Sequence, residues 1–156
     1  ELGVYLRFSF SCLNPFGGFN AVIQCSAFYP ELYLFKLKIW DAYRPLSVQW
    51  ALWNHTPDER FVAHPEKGGK HTRGTAVDLT LIDSKGCELI MPTPFDDFTE
   101  KAFRSCIDLP EEAIANRQLL EDVMEGFVGL PNEWWHFDYH KWESFAPQDI
   151  AIEHLK

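Results

Sequence analysis

A turn that feeds a strand, at residues 69–81, constrains this chain more than any other stretch. Gly74 supplies backbone freedom, and the residues after it alternate with the period of two that a half-buried strand requires. The odd-numbered positions of this strand are apolar and form a core face. Asp78 lies at the centre of the other face, where a carboxylate needs a partner. Because the turn brings His71 back over the strand, we expect His71 and Asp78 to share a cation.

A second stretch, residues 131–139, offers another imidazole and more carboxylates. On a regular strand Glu133 and His136 would point to opposite faces, because they are three residues apart. If both serve one site, Glu133 must lie in the irregular segment after Pro131, with only His136 inside the strand. Catalytic zinc sites use three protein ligands and leave the fourth position to water. The residues therefore predict a metal site with Glu133 close to it but not bound, as a general base should be.

Four motifs stand in order along the chain: Asp-Ala-Tyr-Arg-Pro at 41–45, His-x-x-Gly-x-Ala-x-Asp at 71–78, Met-Pro-Thr-Pro-Phe-Asp at 91–96 and Glu-Trp-Trp-His at 133–136. Each motif alone is moderately specific, and the set is strongly specific. Taken together and in this order, the motifs resemble those of the zinc D-alanyl-D-alanine dipeptidases of the VanX type. The resemblance covers residues 37–139, most of the chain.

The resemblance implies one zinc ion per chain, held by His71, Asp78 and His136. Any one of the three, taken alone, would be interpreted as a hydrogen-bonded histidine or carboxylate. Two imidazoles also suit zinc better than calcium or magnesium. The resemblance further implies that Glu133 is the general base.

Two more site residues follow from the resemblance. Arg44 aligns with the arginine that stabilises the oxyanion of the tetrahedral intermediate, although a salt bridge to Asp41 would be its ordinary role. Asp96 matches the carboxylate that pairs with the free ammonium group of a dipeptide, although its sequence context also fits a helix N-cap. The predicted activity is zinc-dependent hydrolysis of D-alanyl-D-alanine or similar short dipeptides, which makes the expected partner a small dipeptide substrate.

This chain departs from the family pattern at three positions. Small hydroxyl residues commonly precede the first zinc histidine in the family and help to hold the substrate amine, whereas Gly69 and Lys70 stand here. The amino-terminal tyrosine expected near the substrate aligns with Phe8. These departures bear on the strictness of D-alanyl-D-alanine specificity more than on hydrolysis.

Two rival functions remain at this stage. A peptidoglycan D,D- or L,D-carboxypeptidase would use the same metal ligands, and its turnover of a stem peptide would separate it from a dipeptidase. A zinc-stabilised binding domain without catalysis, as in hedgehog-type relatives, is the rival from another class. The presence of both Glu133 and Arg44 argues against it.

Composition limits the number of domains and the kinds of partner that the chain can have. The 156 residues, 46% of them hydrophobic and 24% charged, fit one domain spanning 1–156. A formal net charge of −9 argues against nucleic acid or an anionic membrane as a partner, because both need a basic face. The sequence has no apolar run of about 18 residues, so we expect no membrane span. We expect a cytoplasmic protein, with the periplasm as the alternative because the chain begins at Glu1 rather than Met.

The pattern along the chain predicts an α+β domain, with helices packed outside a small antiparallel sheet and the zinc site in a cleft on that sheet. Residues 1–35 match the family poorly and are shorter than its amino-terminal region. The predicted strands are 5–10, 36–43, 75–81, 87–91, 127–130 and 134–139, and the predicted helices are 46–54, 98–106 and 110–125. The first helix has its apolar residues at 46, 50 and 53, and the last carries an apolar stripe of Ile114, Leu119, Leu120 and Val123.

Overall fold

An antiparallel sheet organises the computed structural model, which describes residues 7–10, 20–24, 35–59 and 62–154. Within these residues the sheet has six strands in the spatial order β1-β2-β3-β4-β6-β5. Two helices accompany it, so the predicted α+β class is confirmed. The elements are β1 (Arg7–Phe10), β2 (Asn20–Gln24), β3 (Lys36–Asp41), α1 (Leu46–His55), β4 (Ala76–Ile82), α2 (Glu111–Val123), β5 (Phe127–Gly129) and β6 (His136–Tyr139).

Strand β4, predicted from its alternation, is the central strand of the site. It pairs with β3 on one side and β6 on the other, and the register places Asp78 opposite His136. The apolar face is buried as predicted, with Leu79 and Leu81 each 1% exposed. The polar face is buried as well, since Asp78 is only 5% exposed. A carboxylate is therefore fixed in the interior of the sheet, where it requires compensating partners.

The core lies between the apolar face of β4, helix α2 and the residues that precede β6. Trp134, Trp135 and Phe137 are among its largest buried side chains. Helix α2 contributes Leu120 and Val123, as its predicted apolar stripe requires. The segment that delivers Glu133 and His136 is consequently anchored by buried aromatic rings.

Helix α1 forms where a helix was predicted, but its buried residue differs. The apolar pattern predicted burial of Trp50, which is 38% exposed, whereas Gln49 is 2% exposed. The carboxyl-terminal segment ties α1 to the turn that carries His71. The Leu46 amide donates to the Gln148 carbonyl at 3.0 Å, and the Gln148 amide donates to the Thr72 carbonyl at 2.7 Å.

Two predicted elements are wrong. Residues 87–91 do not form a strand, because the pairing after β4 is limited to a bridge between Ile82 and Glu88 and one further bond from the Leu89 amide to the Leu81 carbonyl. Residues 98–106 do not form an α-helix but one 3-10 turn at Glu100–Ala102. The chain becomes extended at the next residue and sends Arg104 toward the loop before β6.

The amino-terminal strand predicted at 5–10 is present as β1 over Arg7–Phe10, and the remaining residues of that prediction lie outside the described ranges. Among the described residues, none of the helices has the length and apolar composition needed for a bilayer crossing.

Candidate metal centre

Three side chains from separate parts of the chain converge at one point of the cleft. His71 opens the 3-10 turn His71–Arg73, Asp78 is the third residue of β4, and His136 is the first residue of β6. One ligand atom from each lies within 4.8 Å of the others. Gly74 ends the turn at φ +63°, a conformation that glycine adopts without strain and that folds His71 back over β4 as predicted. All three side chains are buried.

Hydrogen bonds on the far sides of the two imidazoles fix which nitrogen faces this point. His71 Nδ1 donates to the Ala42 carbonyl at 2.8 Å, which leaves Nε2 facing inward. His136 Nε2 donates to Asp138 Oδ1 at 2.9 Å, which leaves Nδ1 facing inward. The two inward nitrogens are 3.3 Å apart. The Asp78 oxygens lie 2.8 Å from His136 Nδ1 and 3.2 Å from His71 Nε2.

Charges at this point favour a cation. Burial alone would raise the pKa of Asp78, but hydrogen bonds from His136 and His71 lower it to about 2. Burial alone would lower the pKa of His136, but hydrogen bonds to Asp138 and Asp78 raise it to about 9. The carboxylates of Asp78 and Asp138 therefore favour positive charge at this point, and a bound metal ion would supply it. The donor set fits a metal ion.

Glu133 lies beside this group, in the irregular segment before β6 where it was predicted. Its Oε2 atom is 3.9 Å from His136 Nδ1. Burial raises the pKa of Glu133, the nearby His136 opposes that shift, and Asp78 and Asp96 add to it. A half-buried carboxylate with a raised pKa can exchange protons closer to neutral pH than an ordinary glutamate.

Arg104 holds the segment that carries Glu133 through hydrogen bonds. Its Nε donates to the Leu130 carbonyl at 2.9 Å, and its Nη2 donates to the carbonyls of Trp134 at 2.9 Å and His136 at 3.0 Å. The chain bears no side chain at position 129, where a Cβ would lie 2.4 Å from the Arg104 Cζ atom. The segment is therefore held from both sides of Glu133.

Arg44 is a fixed cation at the end of β3. Its Nε donates to Asp41 Oδ2 at 2.8 Å, Nη2 donates to the same oxygen, and Nη1 donates to Gln49 Oε1 at 2.8 Å. Gln49 is held in turn by its own bond to the Ala63 carbonyl at 2.7 Å. Arg44 thus forms the salt bridge considered from sequence and also lines the cleft.

Asp96 lines the same cleft, directly after Phe95, which packs against the core. Its φ of +60° is a left-handed conformation that few non-glycine residues adopt. Burial raises the pKa of its carboxyl group. Asp96 does not cap the 3-10 turn Glu100–Ala102, whose N-cap is Thr99; the neighbouring Asp97 accepts from the Thr99 amide at 3.0 Å through its Oδ1. Within the described part of the chain, no hydrogen bond or ion pair engages the Asp96 carboxylate.

All six residues named from the sequence line one cleft of about 460 Å³. Its walls also contain aromatic side chains, including Phe98, Trp135 and Trp142. The main partners behind the site give no local signal in the sequence; they are Gln49, Arg104 and Lys70. Asp138 offered the only local signal, since it lies two residues after His136 and so shares its face of the strand.

Comparisons with known proteins identify a family for this chain. The chain is 44% identical over 105 residues to the D-alanyl-D-alanine dipeptidase of Escherichia coli (strain K12), covering 66% of this chain and 54% of that protein. It is 31% identical over 124 residues to the enzyme of the same name from Enterococcus faecium and 28% identical over 124 residues to that from Enterococcus faecalis, each covering 66% of this chain and 61% of the relative. The chain thus spans less than two thirds of the length of these relatives. The model of peptidase family M15, described as D-ala-D-ala dipeptidase, matches residues 20–151, so this chain belongs to that metallopeptidase family.

Proposed function

We propose that this protein is a zinc-dependent dipeptidase that hydrolyses D-alanyl-D-alanine or similar short dipeptides. The observation that carries the proposal is the convergence of His71 Nε2, Asp78 and His136 Nδ1 beside the carboxylate of Glu133. The names of the relatives support the substrate class.

The donor set favours zinc among common metal ions. Two imidazoles and one carboxylate form the three-ligand set typical of catalytic zinc, whereas calcium and magnesium prefer oxygen ligands. His71, Asp78 and His136 would hold one ion per chain. When bound, such an ion supplies a Lewis acid that polarises a carbonyl group and lowers the pKa of water.

Glu133 acts in this proposal as the general base and then as the general acid. Its carboxylate takes a proton from the attacking water as the oxygen bonds to the scissile carbonyl carbon. It then gives that proton to the leaving amine nitrogen as the carbon–nitrogen bond breaks. The raised pKa of Glu133 suits both steps, because the group must accept and release a proton near neutral pH.

Arg44 stabilises the oxyanion that develops on the carbonyl oxygen. A guanidinium has five N–H donors, and three of those in Arg44 are used by Asp41 and Gln49. The remaining donors can reach into the cleft from a side chain that is already immobilised. A preorganised donor of this kind typically lowers the barrier by about 3 kcal/mol.

Asp96 binds the ammonium group of the substrate and so limits cleavage to very short peptides. Asp96 is exposed at the cleft, and its carboxylate makes no hydrogen bond or salt bridge among the described residues, so a cationic substrate group can pair with it. The hydroxyls that would share the ammonium in the family are absent, since Gly69 and Lys70 occupy those positions. Asp96 therefore carries the larger share of this recognition.

The test compares free D-Ala-D-Ala with its N-acetyl form. An acyl cap removes the positive charge and leaves Asp96 unpaired, which we expect to nearly abolish cleavage of the capped peptide. Equal rates on both would contradict the dipeptidase proposal and favour a carboxypeptidase. Zinc binding without hydrolysis of either peptide would favour a binding domain.

A further inference from the structure

A chain of contacts runs from a lysine to the metal ligand His136. Lys70 Nζ donates to Asp138 Oδ2 at 2.5 Å, and Asp138 Oδ1 accepts from His136 Nε2 at 2.9 Å. Lys70 also lies over the ring of Trp142, with Nζ 5.2 Å from its centroid. The Asp138 side chain is 8% exposed and that of Lys70 is 31% exposed, so water screens this chain of contacts only in part.

The two candidate histidine ligands are oriented by different means. The acceptor behind His71 is the backbone carbonyl of Ala42, so the local fold supplies it whatever the side chain there. The acceptor behind His136 is a side chain, Asp138, so the orientation of that imidazole depends on the identity of one residue. An unpaired carboxylate this deeply buried would be costly, and Lys70 offsets its charge.

We propose that Asp138 and Lys70 are positioning residues, which hold the imidazole of His136 with Nδ1 directed at the metal. Asp138 fixes the tautomer and the ring rotation through Nε2–H, and Lys70 fixes the carboxylate of Asp138. The inference rests on the proposed function only in that the site must bind a metal.

The test measures Zn²⁺ affinity by competition with a chelator, together with the visible spectrum of the Co²⁺-substituted protein. Loss of a partner behind a ligating histidine typically lowers metal affinity roughly 10–100-fold. Asp138→Ala should therefore weaken Zn²⁺ binding by about that factor and change the Co²⁺ spectrum, which reports ligand geometry. Lys70→Met should weaken Zn²⁺ binding less, because Asp138 is still present to accept from His136, although Lys70 no longer orients its carboxylate.

Lys38→Met is the matched control. Lys38 Nζ also lies 2.5 Å from a carboxylate, that of Glu88, and 5.7 Å from a tryptophan centroid, that of Trp40, but it has no contact with the metal ligands. The Lys38→Met substitution removes the same charge and the same kinds of contact as Lys70→Met. Zn²⁺ affinity and the Co²⁺ spectrum should match those of the wild type.

If Asp138→Ala does not fold, the inference can be tested with Asp138→Asn and with the double variant that also carries Lys70→Met, which leaves the net charge unchanged. In Asp138→Asn the amide oxygen can still accept from His136, but the amide nitrogen then faces the ammonium of Lys70. Adding Lys70→Met removes that conflict, so the double variant should bind Zn²⁺ more tightly than Asp138→Asn alone. No recovery in the double variant, or wild-type affinity and spectrum in Asp138→Ala, would overturn the inference. Failure of the wild type to bind Zn²⁺ would instead overturn the proposed function.

Discussion

Replacing Arg104 with methionine should misplace Glu133 without touching it. The guanidinium donates three hydrogen bonds to carbonyls of the segment that carries Glu133, at 2.9, 2.9 and 3.0 Å. Methionine keeps part of the packing of the aliphatic stem but donates none of these bonds. The segment would then be held mainly by its buried tryptophans, and Glu133 would lose its fixed distance from the metal ligands.

The structure sets the size of both expected effects. A hydrogen bond from a charged donor contributes about 1.5–3 kcal/mol, and three of them act on one segment, so a sub-additive total of about 3–5 kcal/mol should be lost from the free energy of unfolding. The ion pair with Glu121 adds little, because the side chain of Glu121 is 34% exposed. A displacement of about 1 Å at a catalytic group can cost on the order of 10²-fold in rate, so we expect kcat to fall roughly 10–100-fold.

Arg117→Met separates the two effects. Arg117 is 7% exposed and its Nη1 donates to the carbonyls of Phe103 at 3.2 Å and Cys106 at 3.0 Å, neither of which belongs to the segment that carries Glu133. Urea unfolding should show a loss of stability in both variants, whereas kcat of the folded, zinc-loaded protein should fall only in Arg104→Met. Equal kcat values in the two variants would refute the positioning of Glu133 by Arg104.

Four further tests address separate parts of the account. Glu133→Gln should keep zinc and lower turnover roughly 10²–10⁴-fold, and native turnover would assign the proton transfer to another group. Because burial raises the pKa of Glu133, the wild-type rate should fall with decreasing pH at values above 4.5, the ordinary value for a glutamate, while zinc stays bound; a rate that is constant through that range would contradict the role of Glu133. Asp96→Ala should lower the hydrolysis rate of free D-Ala-D-Ala more than that of the N-acetyl peptide, so the ratio of the two rates should fall. An unchanged ratio would show that Asp96 does not recognise the substrate. Trp134→Ala, at a residue 1% exposed whose Nε1 donates to Thr93 Oγ1 at 2.9 Å, should cost about 3–5 kcal/mol in urea unfolding, and a loss below about 1 kcal/mol would show that the core is not centred there.

The parts of the fold that follow from local periodicity could be predicted from sequence. The alternation in β4 and the glycine of the preceding turn were sufficient to place His71 over Asp78. The three-residue spacing of Glu133 and His136, together with the assumption that both serve one site, placed Glu133 outside β6, which begins at His136. These features depend on neighbours in the sequence, where steric and periodic rules apply.

The parts that depend on distant contacts could not be predicted. The helix expected at 98–106 is replaced by two short turns joined at an extended Phe103, and Arg104 bonds to carbonyls that lie 26–32 residues away. Lys70 and Asp138 are separated by 68 residues, and their contact follows only from the pairing of β4 with β6. Gln49 is buried on a helix whose pattern predicted an apolar contact, because it serves Arg44 rather than the core.

The central claim is that His71, Asp78 and His136 hold one zinc ion that hydrolysis requires. The most direct measurement is the zinc content of the purified chain together with its D-Ala-D-Ala hydrolysis, before chelation, after chelation and after Zn²⁺ is returned. We predict about one zinc per chain, activity that is lost and restored with the metal, and loss of both in His71→Ala and His136→Ala. Full zinc occupancy in both variants, or undiminished hydrolysis by the chelated protein, would contradict the account.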